Sequence, residues 1–353
     1  MIEYGNVNTW EMMHISNIKM EDIAKRAGVS LATIGRVIHN NGYVSAEKRR
    51  EIERIIEETG YVPNKIAQGL KNSRSKLIGH LTRFNQNMLF EQISRSVDSC
   101  AYDKGYYVLT LTSHSDRDEE KRQVEELIGH RADGVIITSN PFIHREDIEK
   151  LTKAGIPVVM VERTQKLPGV DCVEVDDFYG AYEAVSHILK KGHRRVGFIG
   201  VKNGHEVERL RYEGYSKALS DMGMEADSSM SYITDTYTVE EGKKAISALL
   251  SQRERITALF MTSDIFACGV MQICYQEGIR IPEELSLVGY DNTLSSLLSP
   301  PITSMGLPCE EIGKIAINYL TDRITDLQAA SRKSKIKPVL IDRGTVKEIK
   351  TYE

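Results

Sequence analysis

Near the start of the chain, side chains that could bind a partner are expected on one short helix. Residues 27–40, AGVSLATIGRVIHN, place a Gly-Val-Ser corner before this helix, whose exposed face is expected to offer Leu31, Ala32 and Arg36. Across residues 18–76, twelve lysines and arginines stand against seven aspartates and glutamates, whereas the whole chain has a net charge of -4. A local excess of positive charge in an otherwise acidic chain indicates a nucleic-acid partner for that part alone.

Helical spacing and capping residues predict three helices around this face. A first helix is expected over Met20–Ala27, with Gly28 ending it in a left-handed turn. Ser30 can cap a second helix that extends to about Ile38, and a third helix is expected over residues 46–59. Two short helices joined by a glycine turn predict a helix-turn-helix.

The rest of the chain alternates short apolar runs with segments of helical period. Seven runs are typical of buried parallel strands: KLIGHLT, YYVLTLT, DGVIITS, PVVMVE, RRVGFIG, TALFMTS and LSLVGYD. Such alternation predicts doubly wound parallel sheets. Because seven strands are too many for one small unit and the arrangement occurs twice, we expect two similar α/β lobes. Ligands of these sheets bind outside the carboxyl ends of the strands.

Composition narrows the class of protein. With 353 residues, 41% of them hydrophobic and 27% charged, the chain is typical of a soluble globular protein of two or three compact units. The five cysteines are scattered, as buried thiols in a reducing cytoplasm would be. Neither a signal peptide nor a membrane-spanning segment is expected, so the sequence favours a cytoplasmic protein without a membrane partner.

The motif search gives no indication of an enzyme. The sequence lacks a P-loop, a GxGxxG after the first strand, a GxSxG, an HExxH and a plausible metal cluster. We therefore expect no catalytic residue, no metal and no cofactor. A sugar-binding protein of a transport system would share the two lobes, but it would need a signal peptide and would lack residues 18–76.

A set of short segments also occurs in a fixed order between residues 18 and 343. They are DIAKRAGVSLATIGRVI, GYVSAEKRREIERIIEETGYVPNKIAQGL, LIGHL, KGY, ADGVIIT, GIPVVMVER, VEVDDFYGA, KKGHRRVGFIG, RYEGY, EELSLVGYDN and SPPITSM. Each alone is weak, but together they resemble the LacI/GalR family of bacterial transcription regulators. The resemblance implies a homodimer that binds double-stranded palindromic operator DNA. It also implies a small-molecule effector between the lobes, a sugar in the first place and a purine as the alternative.

The resemblance assigns DNA contacts by position. Leu31 and Ala32 would face base edges with apolar contacts, for example to thymine methyl groups, and Arg36 could donate two hydrogen bonds to guanine O6 and N7. A phosphate contact remains the alternative for Arg36. Three further positions would contact the DNA backbone, Thr33, Tyr43 and Ser45. The serine at position 45 could equally be a helix cap alone.

The resemblance also implies a hinge that enters the minor groove. Leu70 would act there as an apolar wedge that opens a base step, with Lys71 near a phosphate; an ordinary packing leucine is the alternative. Three residues depart from the family pattern: Gly35 replaces the usual Ser or Thr, His39 an Asn, and Lys19 a Thr cap. Weaker or differently tuned DNA affinity is expected from them.

Seven positions match those that hold the effector. An arginine can fork onto vicinal hydroxyl groups and a carboxylate can accept from others, which suits a sugar. Tyr237 would stack on the ligand and Phe90 would wall the site, although either ring could instead belong to the core. Asp264 could instead cap a helix. The positive charge of Arg163 and His205 could favour an acidic or phosphorylated sugar. The seven positions are Phe90, Arg163, Asp176, Arg211, Tyr237, Asp264 and Asp291.

The expected fold class is α/β, with an N-terminal all-α helix-turn-helix domain before a two-lobed, periplasmic-binding-protein-like domain. A tail (1–17) precedes the helix-turn-helix (18–62), a hinge helix and linker follow (63–76), and residues 77–353 bind effector and dimerise. The lobes are expected at 77–175 plus 309–337 and at 176–308 plus 338–345. FEQISRSVDSCAYDKG is expected to be the amphipathic helix of the dimer interface.

Overall fold

The chain divides into two units, with the boundary between Ser73 and Arg74. The computed structural model describes residues 18–62, 74–83, 88–113, 116–138, 144–161, 167, 169–202, 206–251 and 256–349. Each unit has its own apolar core. The described part of the first unit is all helical, and that of the second alternates strands and helices.

The first unit contains the three helices expected from the sequence: α1 (Met20–Ala27), α2 (Leu31–Ile38) and α3 (Ala46–Thr59). Gly28 ends α1 with φ of 63°, and Ser30 caps α2 by accepting the N–H of Thr33. At Lys19, which departs from the threonine cap of the pattern, the Asp22 carboxylate accepts the backbone N–H at 2.9 Å. One cluster of buried side chains joins the helices: Ile23, Ala24, Ala27, Ile34, Val37, Ile52 and Ile55.

The second unit begins with β1 (Leu77–Arg83), α4 (Met88–Asp103), β2 (Tyr107–Ser113), α5 (Arg117–Gly129), β3 (Gly134–Thr138), α6 (Arg145–Lys153), β4 (Val158–Val161) and β5 (Asp171–Val175). It continues with α7 (Asp177–Lys190), β6 (Val196–Val201), α8 (Glu206–Asp221), β7 (Ser231–Thr234), α9 (Val239–Leu250), β8 (Ala258–Met261), α10 (Asp264–Gln276), β9 (Ser286–Asp291) and β10 (Thr303–Gly306). The last elements are α11 (Cys309–Thr325), β11 (Lys333–Ile336) and β12 (Val339–Ile341).

In the described part of the chain these strands form two six-stranded sheets, one in each lobe. The first has the order β2-β1-β3-β4-β5-β11 and the second the order β7-β6-β8-β9-β10-β12. All neighbours are parallel except β12, which runs antiparallel to β10. The doubly wound sheets are therefore confirmed, with one antiparallel edge. In each sheet the strand order changes direction between two neighbouring strands, β1 and β3 in the first sheet and β6 and β8 in the second. Folds of this kind bind ligands at the carboxyl ends of the strands beside such a point.

The chain passes between the lobes three times. It crosses from β5 to α7, from β10 to α11 and from β11 to β12. Helix α11 follows strands of the second sheet, yet it packs against β3, β4 and β5 of the first. The apolar face of α4 also packs within the first lobe, against α11, with the Ser96 hydroxyl donating to the Glu310 carbonyl. Among the described helices, none has the length and apolarity needed to cross a lipid bilayer.

The glycine inside α2 gives a test of the first unit. A methyl group at Gly35 would meet Met20 Cε at 3.7 Å, an ordinary contact. Gly35→Ala is therefore expected to stabilise the unit by about 0.5–1 kcal/mol through helix propensity, measured by amide hydrogen exchange of α1–α3 in the full chain. Gly28→Ala is the control of opposite sign, because φ of 63° costs a side chain roughly 1–2 kcal/mol. Faster exchange in Gly35→Ala would contradict this account.

Candidate functional site

Helix α2 presents an exposed face on the side away from the core of the first unit. Ile34 and Val37 are buried, so the opposite face of α2 points to solvent. Leu31 is 45% exposed there, and Ala32 and Arg36 are exposed beside it. The three side chains that the sequence predicts to lie on one accessible surface are therefore together.

A glycine turn supports the arginine of this surface. Gly42 has φ of 87°, and a Cβ there would lie 3.3 Å from Arg36 Cδ. The stem of Arg36 thus lies close to the backbone of the turn after α2, while the residue as a whole stays exposed. Tyr43, the next residue, is 89% exposed. The turn can therefore restrict the arginine without covering its donors.

The remaining predicted DNA contacts differ in their surroundings. Thr33 is half-buried, with its hydroxyl 3.0 Å from the Ser30 hydroxyl. The Ser45 hydroxyl accepts the N–H of Lys48 at 3.4 Å and so caps α3. Leu70 and Lys71 lie outside the described residues.

In the second lobe, Arg211 occupies a buried position at the carboxyl ends of the strands. It extends from α8 and is 5% exposed. Its Nε donates to Asp177 Oδ1 at 2.8 Å and its Nη1 to the Thr262 carbonyl at 2.7 Å. The guanidinium carbon lies 4.0 Å from the ring centroid of Tyr290, and Nη2 lies 3.7 Å from Asp291 Oδ1. Arg211 therefore joins α7, α8, the end of β8 and the end of β9.

A buried glutamate continues this network to the predicted aromatic position. Glu208 Oε1 accepts the hydroxyl of Tyr237 at 2.5 Å, and Oε2 accepts the N–H of Val201 at 3.0 Å. The same carboxylate lies 3.6 Å from Arg211. Burial raises the pKa of Glu208. The ring of Tyr237 stacks on Phe266 with centroids 5.7 Å apart, so its position is fixed from two sides.

Asp264 holds a loop from within the second lobe. Its Oδ2 accepts the backbone N–H groups of Thr293, Leu294 and Ser295 at 2.8, 3.1 and 3.1 Å, and its Oδ1 accepts the Ser304 hydroxyl. It is fully buried, and burial raises its pKa to about 6. The N-cap of α10 is Ser263, not Asp264. The aspartate thus fastens the loop after β9 rather than its own helix.

Asp291 and Asp176 end strands in the two lobes. Asp291 has φ of 89°, and its Oδ2 accepts the Ser263 hydroxyl at 2.8 Å. Asp176 caps α7 by accepting the N–H of Tyr179 and also binds Lys335 Nζ at 2.8 Å. Phe90 is buried on α4. Arg163 and His205 lie outside the described residues.

The structure therefore brings Arg211, Tyr237 and Asp291 into one network, and Asp264 directly follows Ser263, which donates to Asp291. Asp177 and Glu208 belong to this network and were missed by the sequence analysis. The glutamate could have been found, because it precedes the arginine by three residues and so shares its helix face.

The first lobe contributes uncharged polar groups at the equivalent strand ends. Thr82 and Thr138 are register partners where β1 and β3 meet, and the Thr138 hydroxyl lies 2.8 Å from His80 Nε2. Burial lowers the pKa of His80 to about 4, so its ring is neutral near pH 7. His80 Nδ1 and Thr82 Oγ1 have no hydrogen-bond partner among the described residues. Within those residues, no group of three potential ligands is arranged to hold a metal ion.

Comparison with known proteins identifies the two units. Residues 19–64 match the family described as bacterial regulatory proteins, lacI family, and residues 185–346 match the periplasmic binding protein-like domain. The HTH-type transcriptional repressor PurR of Haemophilus influenzae (strain PittEE) is 30% identical over 336 residues, covering 94% of this chain and 99% of the relative.

Two further relatives agree over nearly their whole length. The ribose operon repressor of Escherichia coli (strain K12) is 29% identical over 92% of this chain and 99% of its own. The solved complex of the transcriptional regulator CelR with cellobiose has a TM-score of 0.69 at 28% identity, covering 93% of this chain and 99% of that chain. The resemblance found in the sequence is thereby confirmed. The chain belongs to the lacI family of bacterial regulatory proteins and is a transcriptional regulator with a helix-turn-helix unit and an effector-binding unit.

Proposed function

We propose that this protein is a repressor that binds palindromic operator DNA as a homodimer and responds to an uncharged sugar bound between the lobes. The exposed face of α2, where Leu31 and Ala32 lie beside Arg36, is the observation that supports the DNA-binding part of this proposal. The protein would act in the cytoplasm, where its operator lies.

On the operator, the guanidinium of Arg36 would donate to guanine O6 and N7, and the two apolar side chains would contact thymine methyl groups. Thr33 and Tyr43 would contact phosphates and fix the register. The cap that Ser45 makes to α3 supports the structural alternative for that serine. Leu70 as a minor-groove wedge and Lys71 as its phosphate contact remain part of the proposal.

The charge at the second-lobe strand ends supports the choice of effector. Three carboxylates, Asp177, Glu208 and Asp291, surround the single guanidinium of Arg211. This excess of acceptors suits hydroxyl donors and disfavours the acidic or phosphorylated sugar that Arg163 and His205 suggested. The CelR relative was solved with cellobiose. A purine is the alternative, since the Tyr237 ring could stack on either ligand.

The proposed effector site comprises the predicted positions in both lobes. Their surroundings suggest two kinds of role. Arg211, Asp264 and Asp176 are engaged by protein groups and would position the site as well as line it, whereas the aromatic residues would shape it. The proposed set is Phe90, Arg163, Asp176, Arg211, Tyr237, Asp264 and Asp291.

The dimer would use the outward face of α4. The apolar residues of this helix are buried within its own lobe, so they cannot also serve a partner. Tyr102, 73% exposed at the end of the helix, is the large apolar group that it presents to solvent. We therefore propose that the interface is built around this outward face.

Arg36→Ala is expected to weaken binding to a palindromic duplex, selected with the wild-type protein, by about 1–3 kcal/mol per half-site, because a bidentate base contact is lost. It should also relax the base preference at one position of each half-site. Arg36→Lys, whose ammonium keeps the charge and can still donate to guanine but lacks the planar fork, should keep part of the base preference. Anisotropy titrations at fixed salt measure both effects. Arg54→Ala is the control, since that exposed arginine pairs with Glu58 on α3; unchanged affinity and preference in Arg36→Ala would contradict base readout.

A thermal-shift screen first identifies the sugar that raises the unfolding temperature of the wild type most. Tyr237→Leu is expected to weaken the binding of that sugar. Loss of a stacking ring should cost about 0.5–1.5 kcal/mol. Tyr237→Phe is the matched control because it keeps the ring and removes only the hydroxyl that donates to Glu208. The phosphorylated form of the same sugar should stabilise the wild type less than the neutral form. Stronger stabilisation by the phosphate would refute the proposed effector class.

Asp264→Asn tests the charge of the buried carboxylate through the pH dependence of the free energy of unfolding. Because the pKa is raised from 3.8 to about 6 in the folded chain, the native state binds the proton more tightly than the unfolded state, and stability falls as pH rises through that window. Relative to the asparagine variant, the wild type should lose on the order of 3 kcal/mol between pH 3.5 and 7. Urea unfolding across this range measures the difference.

Asp264→Ala separates this charge effect from the hydrogen bonds. The asparagine oxygen can still accept the three backbone N–H groups, but alanine leaves them without an acceptor, at a cost of about 2–4 kcal/mol at every pH. An alanine variant as stable as the wild type would show that Asp264 does not hold the loop.

A further inference from the structure

The three residues before β1 are fixed to the base of the first lobe. The Asp133 carboxylate accepts the backbone N–H of Ser75 at 2.8 Å, the Ser75 hydroxyl at 3.1 Å and the backbone N–H of Lys76 at 3.1 Å. Asp133 directly precedes β3, and its own N–H donates to the Leu77 carbonyl at 2.8 Å. One side chain therefore holds the start of the second unit in register with the neighbouring strand.

The backbone turns sharply within this clamp. Lys76 has φ of 59°, the left-handed region that residues with a side chain rarely adopt. Its carbonyl accepts the N–H of Tyr107 at 2.9 Å, and its ammonium lies 4.4 Å from the ring centroid of Tyr106. These contacts hold a conformation that would not persist in a free chain. They set the backbone direction at residues 74–76, where the described part of the second unit begins.

The far end of α11 completes the attachment. Arg74 Nη2 donates to the Ile324 carbonyl at 3.1 Å, and Leu320 of the same helix packs so closely on Gly134 that a Cβ there would lie 2.7 Å from it. Arg323 forms two hydrogen bonds to Asp171 at the start of β5. Helix α11, about 25 Å long from its 17 residues, thus runs from a crossing between the lobes to this attachment.

We propose that Asp133 is a positioning residue for operator binding: its carboxylate fixes the point and direction at which the linker leaves the effector-binding unit. The inference rests on the proposed function as a dimeric operator-binding protein. Two helix-turn-helix units must be presented at one half-site spacing. Slack at the point of attachment lowers the effective concentration of the second unit once the first has bound. It does not change the contacts that either unit makes to its own half-site.

The test compares a full operator with a half-site. The full-length protein is titrated with the selected palindromic duplex and with a duplex in which one half-site is scrambled. Asp133→Asn, which keeps the shape and removes the charge, is expected to bind the palindrome about tenfold more weakly and the half-site duplex as well as the wild type does. Hydrogen exchange of the Ser75 and Lys76 amides should become faster. Asp118→Asn is the control for charge, because that side chain on α5 is 84% exposed.

Each outcome of these titrations either supports or overturns the positioning role of Asp133. Unchanged affinity for the palindrome overturns the positioning role, and an equal loss on both duplexes shows a general effect on folding or charge and overturns it too. If Asp133→Asn does not fold, Ser75→Ala removes a single donor of the clamp and should give a smaller loss confined to the palindrome. A wild-type protein that selects no palindromic site refutes the proposed function itself, and the positioning role with it.

Discussion

A single buried guanidinium holds the strand ends of the second lobe together. Arg211 contacts the start of α7, the carbonyl after β8 and the end of β9, and it shares α8 with Glu208. Buried carboxylates are stable only when they are paired and hydrogen-bonded, and removal of the common partner would leave several of them uncompensated. The elements that carry them therefore keep one relative arrangement. Movement in this unit is expected at the three crossings between the lobes rather than within this network.

The two lobes differ in the character of their strand ends. Within the described residues, the ends of β1 and β3 in the first lobe offer hydroxyl groups and a neutral histidine, His80, whereas the second lobe offers a charged network. In the proposed site, a ligand would meet strong acceptors in the second lobe and uncharged partners at the ends of β1 and β3. This difference would orient the proposed polyhydroxyl ligand, since its donors would gain most from the second lobe.

Much of the fold could be predicted from local patterns. Seven strands were evident because each is an apolar run. Six of them are buried, but β2 lies at the edge of its sheet and is largely exposed or half-buried, so its expected burial was wrong. The helices of the first unit were evident from their caps, such as Ser30. Strands β5, β7, β10, β11 and β12 were missed because they are short or interrupted by polar residues, as in KSKI of β11. Hydrogen-bond partners that are distant in sequence could not be predicted either. Asp264 has the sequence position of a helix cap, yet it accepts N–H groups from residues 29 to 31 positions later.

The three crossings also determine when each part of the protein can form. The helices of the first unit are complete by residue 59, so that unit can fold while the rest is still on the ribosome. The first sheet includes β11 and the second includes β12, and both strands come after all the other strands in the described part of the chain. Neither lobe can complete its sheet until residues 333–341 have been synthesised. The nascent chain thus carries a folded nucleic-acid-binding unit well before it carries the part that controls it.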